Sequence, residues 1–367
     1  MPESPDLRAP RRKAVVRLAV ALLAVVLVAL GLAALWRSQG PVTKIAYFHG
    51  GRTSHFFRTY VLRGFEQERV NVELISKRLY DEAFHVVPKD WDEEANRKTL
   101  YGKVTGGDLI QELVKGNADG ATVGECSFLE GIDQGLPLVA VAELGHDLKE
   151  RPGHAIIFRR KLRKSIKGPA DIKGRVLVSR RAGWGDDVFL REFLLDIGVD
   201  PDKDVKIHYD VMDDKLEDGL GDGVFDGGYF HLMALAKLVK KGSAFIYRRF
   251  DWLNPELSHA LLVFRRDFLA QHRETAQKIV TALFRRLKVE AALPQEAREE
   301  KRGKGMRITQ DFHGMSLPQC SIPPLVRPAL LNEMQTLLIK HRYLKKMTDV
   351  GPYVDNSLVE AAAKELK

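Results

Sequence analysis

The sequence predicts an α/β protein of two similar lobes, preceded by one apolar segment at its N-terminus. Three observations carry this expectation. A short pattern occurs twice: Gly116, Asp119 and Gly120 in LVKGNADGATVGECSF are matched by Gly223, Asp226 and Gly227 in GLGDGVFDGGYFHLM. All three residues recur at one offset, about 107 positions, as two related units would require. Apolar runs of strand length alternate with stretches of helical period, the signature of an open parallel sheet. Finally, Leu18 to Trp36 is an uninterrupted apolar run of about 19 residues, long enough to span a bilayer.

The apolar segment comes first in the chain. Arg11, Arg12, Lys13 and Arg17 precede it, so the positive-inside rule keeps the N-terminus in the cytoplasm and places everything after Arg37 outside. A retained inner-membrane anchor is the favoured reading. A cleaved signal peptide is the alternative, with Gly31-Leu32-Ala33 as a small-x-small site. No cysteine stands at the end of the run, which excludes a lipoprotein anchor.

Beyond residue 40 the elements alternate. Lys44 to Phe48 reads as a strand that ends in a glycine loop, followed by a helix in FFRTYVLRGFEQERV and a strand in NVELISK. Residues 78–104 read as a charged, aromatic insertion. GGDLIQELVKGN is a helix, and PLVAVAEL is a strand with the near-continuous apolar run of a buried sheet. HAIIFRR opens a second set: a strand at Arg175 to Ser179, a helix from near Asp186, a strand in DVKIHYDV and a helix in GYFHLMALAKLVKKG. SAFIYRR and HALLVFRRDFL lead back out, and the remainder is mostly helical. Residues 1–40 are thus the tail and anchor, 41–148 the first part of lobe one, 149–255 lobe two, and 256–367 the return to lobe one. The chain crosses twice, near 145–155 and 247–259, which is a hinge geometry.

Composition limits the function classes. The chain has 367 residues, 45% apolar and 29% charged, with a formal net charge of +9. Residues 1–40 hold six Lys/Arg against Glu3 and Asp6, so the remainder carries 52 basic and 47 acidic residues. These are interspersed and form no basic-aromatic motif, which argues against nucleic acid. Cys126 and Cys320 make neither a disulfide framework nor a metal site, and read as two buried free thiols, with a bond to each other in an oxidising compartment as the alternative. His49, His55, His146, His154 and His231 lack metal-ligand spacing, so no metal or other cofactor is expected.

Several segments, in this order and spacing, resemble the extracytoplasmic solute-binding proteins of ABC importers. They are GFEQERVNVELI, LIQELVKGNADGATVG, DQGLPLVAVAEL, ADIKGRVLVSRRAG, FLLDIGVDPDKDVKI and VDNSLVEAAAKEL, and they span nearly all of 42–366. The branch they resemble serves nitrate, sulfonates and thiamine-pyrimidine precursors. The resemblance implies a two-lobed, periplasmic-binding-protein-like type II fold. It also implies permease and ATPase partners, and a periplasmic location on the outer face of the inner membrane. The chain departs from the pattern in its 78–104 insertion and in the polar GECSF.

Four loops are expected at the cleft, because ligands of open α/β sheets bind beyond the carboxyl ends of the strands. The first carries His49, Gly50, Gly51, Arg52 and Thr53. Its glycines let backbone N–H groups approach a ligand, and Arg52 can clamp a carboxylate, sulfonate or phosphate. The alternative is a solvated turn. The second offers Glu125 as acceptor for an amine or ring N–H, and Ser127 as a helix N-cap. A carboxylate there would repel a bare inorganic anion. The third, SRRAGWGDDVF, presents a helix N-terminus with Asp186, a flexible Gly183, Trp184 as a stacking face, and Arg180 or Arg181 as charge. The fourth gives Tyr229 a ring face and His231 a donor, although both suit a core equally well.

The function expected is capture of a small polar or heteroaromatic organic solute between the lobes, without chemistry. A cofactor-precursor enzyme of the same fold, or a ligand-sensing ectodomain, is the alternative. No nucleophile-base-orienter set is apparent.

Overall fold

The computed structural model describes residues 41–48, 50–77, 83–90, 104–209, 211, 213–293 and 312–367. The apolar run Leu18–Trp36 lies outside the described residues, and among those that are described no helix is long and apolar enough to cross a membrane. The expected insertion at 78–104 is described only at 83–90 and 104, and His49 is also outside.

Eleven strands among the described residues form two sheets. The first contains β1 (Val42–Ala46), β2 (Asn71–Lys77), β3 (Phe84–Val86), β4 (Gly120–Gly124), β5 (Leu138–His146) and β11 (His259–Arg265), ordered β3-β2-β1-β4-β11-β5. The second contains β6 (His154–Arg159), β7 (Val176–Val178), β8 (Lys206–His208), β9 (Gly227–His231) and β10 (Ala244–Arg249), ordered β10-β6-β9-β7-β8. Reversed, the second order matches β2-β1-β4-β11-β5 strand for strand. In both sheets the strand beside β4 or β9 runs antiparallel, β11 in one and β6 in the other. Each of these is the strand by which the chain enters the sheet from the other side.

The repeated pattern has one physical job in both places. Gly116 and Gly223 end their helices at φ +76 and +77, the left-handed region where a side chain costs energy. Asp119 and Asp226 then tie the next strand to its parallel neighbour. The Lys44 N–H donates to Asp119 Oδ2 at 2.9 Å, and the Val176 N–H donates to Asp226 Oδ2 at 3.2 Å.

Alternation of side chains packs the first sheet on both faces. Ala46, Ile75, Val123 and Val263 join one buried cluster with helices Gly106–Val114, Glu125–Asp133 and Pro328–Lys340. Ile45, Leu74, Leu262 and Phe264 join another with helices Ser54–Val61, Arg273–Ala291 and Ser357–Glu365. A strand buried on both faces has no polar side to show, which explains the nearly continuous apolar run of β5. The first of these clusters continues into the second sheet through Ile156, Phe158 and Leu177.

The structure corrects the sequence reading at several elements. The single helix expected after β1 is broken: Ser54–Val61 ends before Arg63, which sits at φ 56, and a short helix resumes at Gly64–Gln67. The helix expected from Gly228 begins only at Leu232, because Gly227–His231 is β9. Two glycines allow this. A Cβ on Gly227 would lie 2.2 Å from the Ile157 carbonyl oxygen, and one on Gly228 would lie 2.4 Å from that of Val178. Ser127 does not cap its helix; Gly124 occupies that position and Ser127 lies within the first turn. The links between the sheets are 147–153 and 250–258. Cys126 is a buried free thiol, but Cys320 is only partly buried.

Candidate functional site

A cavity of about 120 Å³ opens between the two sheets, at the carboxyl ends of β1, β4, β7 and β9. Ten of the cleft-loop residues singled out in the sequence wall it: Gly50, Gly51, Arg52, Thr53, Glu125, Ser127, Arg180, Trp184, Asp186 and His231. Three others stand outside the wall. Arg181 is exposed and lies over the Trp184 ring, 5.6 Å from its centroid. Gly183, at φ +79, shapes the loop against Tyr343. Tyr229 is buried behind the wall, 4% exposed, with its ring stacked on His154 at 5.0 Å.

The first loop is held by its own hydrogen bonds. Thr53 Oγ1 donates to the Phe48 carbonyl at 2.7 Å and accepts from the Gly50 N–H at 3.1 Å. Arg52 is thereby aimed along the wall. Its Nη1 donates to Glu125 Oε2 at 2.9 Å, to the His259 carbonyl at 2.9 Å and to Ser258 Oγ at 3.3 Å. Burial works against the Arg52 cation, but Glu125, Asp147 and Asp186 more than offset it and raise its pKa. The guanidinium expected to clamp an anion therefore already has one, supplied by the protein.

The facing loop repeats the arrangement. Trp184 takes the N-cap position of helix Gly185–Asp196 with extended backbone, φ −83 and ψ 165. Its neighbour Asp186 is chelated by Arg180, through Nε to Oδ2 and through Nη2 to Oδ1 at 2.7 Å. Burial alone would raise the Asp186 pKa; the Arg180 charge and hydrogen bonds instead lower it. Gly185 brings the two loops together, since a Cβ there would sit 2.8 Å from Glu125 Oε1. Two internal ion pairs thus line the cavity, and Phe48, Trp184 and His154 add ring surface to its wall.

His154 is the main residue the sequence reading missed. It opens β6, lines the cavity, and its Nδ1 is 2.5 Å from Asp147 Oδ2. Asp147 is fully buried and also accepts from the Gly153 N–H at 3.0 Å, while its Oδ1 has no hydrogen-bond partner among the described residues. The signal available was position: His154 is the first strand residue after a crossover, where both sheets meet. Leu317 and Pro318 complete the rim from the C-terminal return, where no site residue was expected. Among the described residues no group of three or more His, Cys, Asp or Glu is arranged to hold a metal ion.

The cavity's one thiol is not poised for attack. Burial, and next the Glu125 carboxylate, push the Cys126 pKa well above its ordinary value. Burial, then Asp147 and Asp186, do the same to the Tyr229 phenol, which stays a neutral hydroxyl.

Comparison with known proteins gives the same architecture. The ligand-binding component of an ABC-type import system from Staphylococcus aureus, solved with zinc bound, superposes with a TM-score of 0.65 at 16% identity, covering 88% of this chain and 98% of that one. The alkanesulfonate-binding protein of Xanthomonas axonopodis pv. citri, bound to MOPS, gives 0.62 at 15% identity, covering 86% and 98%. The nitrate-binding protein of Synechocystis PCC 6803 gives 0.64 at 13% identity, covering 89% of each. No curated protein is similar enough in sequence to match. The fold is therefore the α/β architecture of the periplasmic binding proteins. The model of the family described as "NMT1/THI5 like" matches residues 100–297, more than half of the chain, and the protein belongs to that family.

Proposed function

We propose that this protein is the extracytoplasmic solute-binding component of an ABC importer, and that it captures a planar nitrogen heterocycle carrying no net negative charge. The observation that carries the solute class is the pairing of both cavity arginines, Arg52 with Glu125 and Arg180 with Asp186. A bare anion entering this cavity meets two carboxylates and two guanidinium groups that those carboxylates already neutralise. A flat ring with N–H donors instead stacks on Trp184 and satisfies carboxylate lone pairs. Nitrate and alkanesulfonate are named for two of the structural neighbours. The paired arginines favour a different solute here.

In this reading 41–148 and 256–367 form one lobe, 149–255 form the other, and the links 147–153 and 250–258 are the hinge. Residues 18–36 anchor the protein on the outer face of the inner membrane, where it hands solute to a permease and its ATPase. Binding without chemistry is supported by the protonated state of Cys126, the one thiol in the cavity wall.

The test is thermal unfolding of the 41–367 fragment against a panel of neutral and cationic heteroaromatic amines, nitrate and short alkanesulfonates. Stabilisation follows affinity. Shifts are expected only from the heteroaromatic amines, and a shift produced by nitrate or a sulfonate alone contradicts the solute class.

A further inference from the structure

Asp147 opens the link 147–153, and His154 is the first residue after it. The two close the link on itself. His154 Nδ1 lies 2.5 Å from Asp147 Oδ2, which also accepts from the Gly153 N–H at 3.0 Å. Glycine is needed at 153, since a Cβ there would sit 2.9 Å from Asp147 Oδ1 and 3.1 Å from the Ser316 carbonyl oxygen. Asp147 has no solvent exposure and acts from behind the wall, whereas His154 lines the cavity itself.

The His154 ring has one polar atom that the protein does not use. One ring face is stacked on Tyr229 at 5.0 Å, and Nδ1 faces Asp147. Nε2 bonds no group among the described residues. It is not enclosed either, in contrast to His55 Nε2, which is buried and makes no hydrogen bond to a described residue. The open space beside this ring is the cavity, so Nε2 is reached from there. Both arginines of the wall are committed, Arg52 to Glu125 and Arg180 to Asp186. An ionised Asp147 only accepts, so Nδ1 carries the ring hydrogen and Nε2 keeps its lone pair.

We propose that His154 is a specificity-determining residue of the cavity, whose Nε2 accepts a hydrogen bond from a ring N–H of the solute. Asp147 is the positioning residue that fixes the tautomer. The inference rests on the heteroaromatic reading given above and narrows it to rings with an N–H donor. Such a donor pairs with the Nε2 lone pair. A ring oxygen or an unprotonated ring nitrogen at the same place sets two lone pairs against each other and leaves Nε2 without a partner. Asp147 sharpens the choice, because its charge behind the ring makes Nε2 the stronger acceptor.

The test titrates the full-length protein with benzimidazole and benzoxazole, which share one shape and differ in a ring N–H against a ring oxygen. Binding is followed by ligand-observed NMR at a mildly alkaline pH, where both probes are uncharged. Wild type is expected to prefer benzimidazole by about tenfold, the worth of one hydrogen bond to an otherwise unpaired group. Its His154 ring nitrogens are expected to show the Nδ1–H tautomer, with Nε2 the signal that moves when benzimidazole binds. His154→Asn places an amide N–H where Nδ1–H was and keeps Asp147 bonded. It is expected to bring the preference toward unity. Asp147→Asn is expected to lower the preference and to mix the two tautomers in the nitrogen spectrum, which a loss of packing alone does not do. Equal binding of the probes by wild type, or a preference for benzoxazole, overturns the role of His154 and leaves the heteroaromatic reading standing. An Nε2–H tautomer in wild type overturns it without recourse to any variant. Binding of neither probe to wild type contradicts the heteroaromatic reading and this inference together.

Discussion

Arg52 Nη1 and Glu125 Oε2 lie 2.9 Å apart in the cavity wall, with the Glu125 side chain 2% exposed and Arg52 24% exposed. The pair joins the loop after β1 to the loop after β4, so it fixes cavity shape as well as cavity charge. A buried carboxylate that loses its cation is strongly destabilising, and the converse leaves a guanidinium looking for an anion.

Glu125→Gln keeps the side-chain shape and removes the charge. It is expected to lower stability by about 1–3 kcal/mol, because the partly exposed Arg52 regains some hydration. It is also expected to create measurable nitrate binding where wild type has little. Urea unfolding and calorimetric titration of nitrate check both effects, and a variant still indifferent to nitrate means that the pair does not set solute charge.

Trp184 is the flat face at the N-cap of helix Gly185–Asp196. Trp184→Ala is expected to cost roughly 1–3 kcal/mol of binding, about 5- to 150-fold in affinity, with little change in folding stability. Calorimetry of a bound heteroaromatic amine against the variant decides this, and unchanged affinity takes Trp184 out of the site.

Far from the cavity, Glu290 is buried among His55 at 2.9 Å, Arg286 at 2.9 Å and Arg58 at 3.4 Å. Burial opposes its charge, but these partners pull its pKa down from 4.5 to about 2. The unfolded chain therefore binds the proton more tightly than the folded one, and acid favours unfolding. This contribution is complete above about pH 5 and disappears as pH falls toward 2. Glu290→Gln should cost roughly 2–3 kcal/mol at neutral pH and flatten the acid limb of the stability curve. Urea midpoints measured from pH 7 to pH 3 report it, and parallel curves for the two proteins contradict it.

Much of this fold was legible because its turns need particular residues. Gly116 and Gly223 require a left-handed turn, and Asp119 and Asp226 tie parallel strands, so the same letters recur wherever that junction recurs. Strand β9 was not legible. GGYFH carries too little apolar pattern, and only the carbonyls of Ile157 and Val178 on either side reveal why two glycines are needed. The site divides in the same way. Loop positions such as Arg52, Glu125 and Trp184 follow from strand ends, which sequence locates. Whether Arg52 faces a solute or a carboxylate depends on a contact across 73 residues, which no local pattern encodes. His154 was hidden for a related reason: its partner Asp147 sits in the link, and a histidine at a strand start reads as core.

The central claim is that the cavity holds a nitrogen heterocycle without net negative charge, and one measurement addresses it directly. Protein purified from its own cells without refolding is denatured, and the small molecules released are identified by mass spectrometry. The account predicts a stoichiometric planar heteroaromatic amine, neutral or cationic, that rebinds to stripped protein and is lost from Trp184→Ala. Recovery of nitrate or a sulfonate in stoichiometric amount, rebinding in the same way, would contradict it.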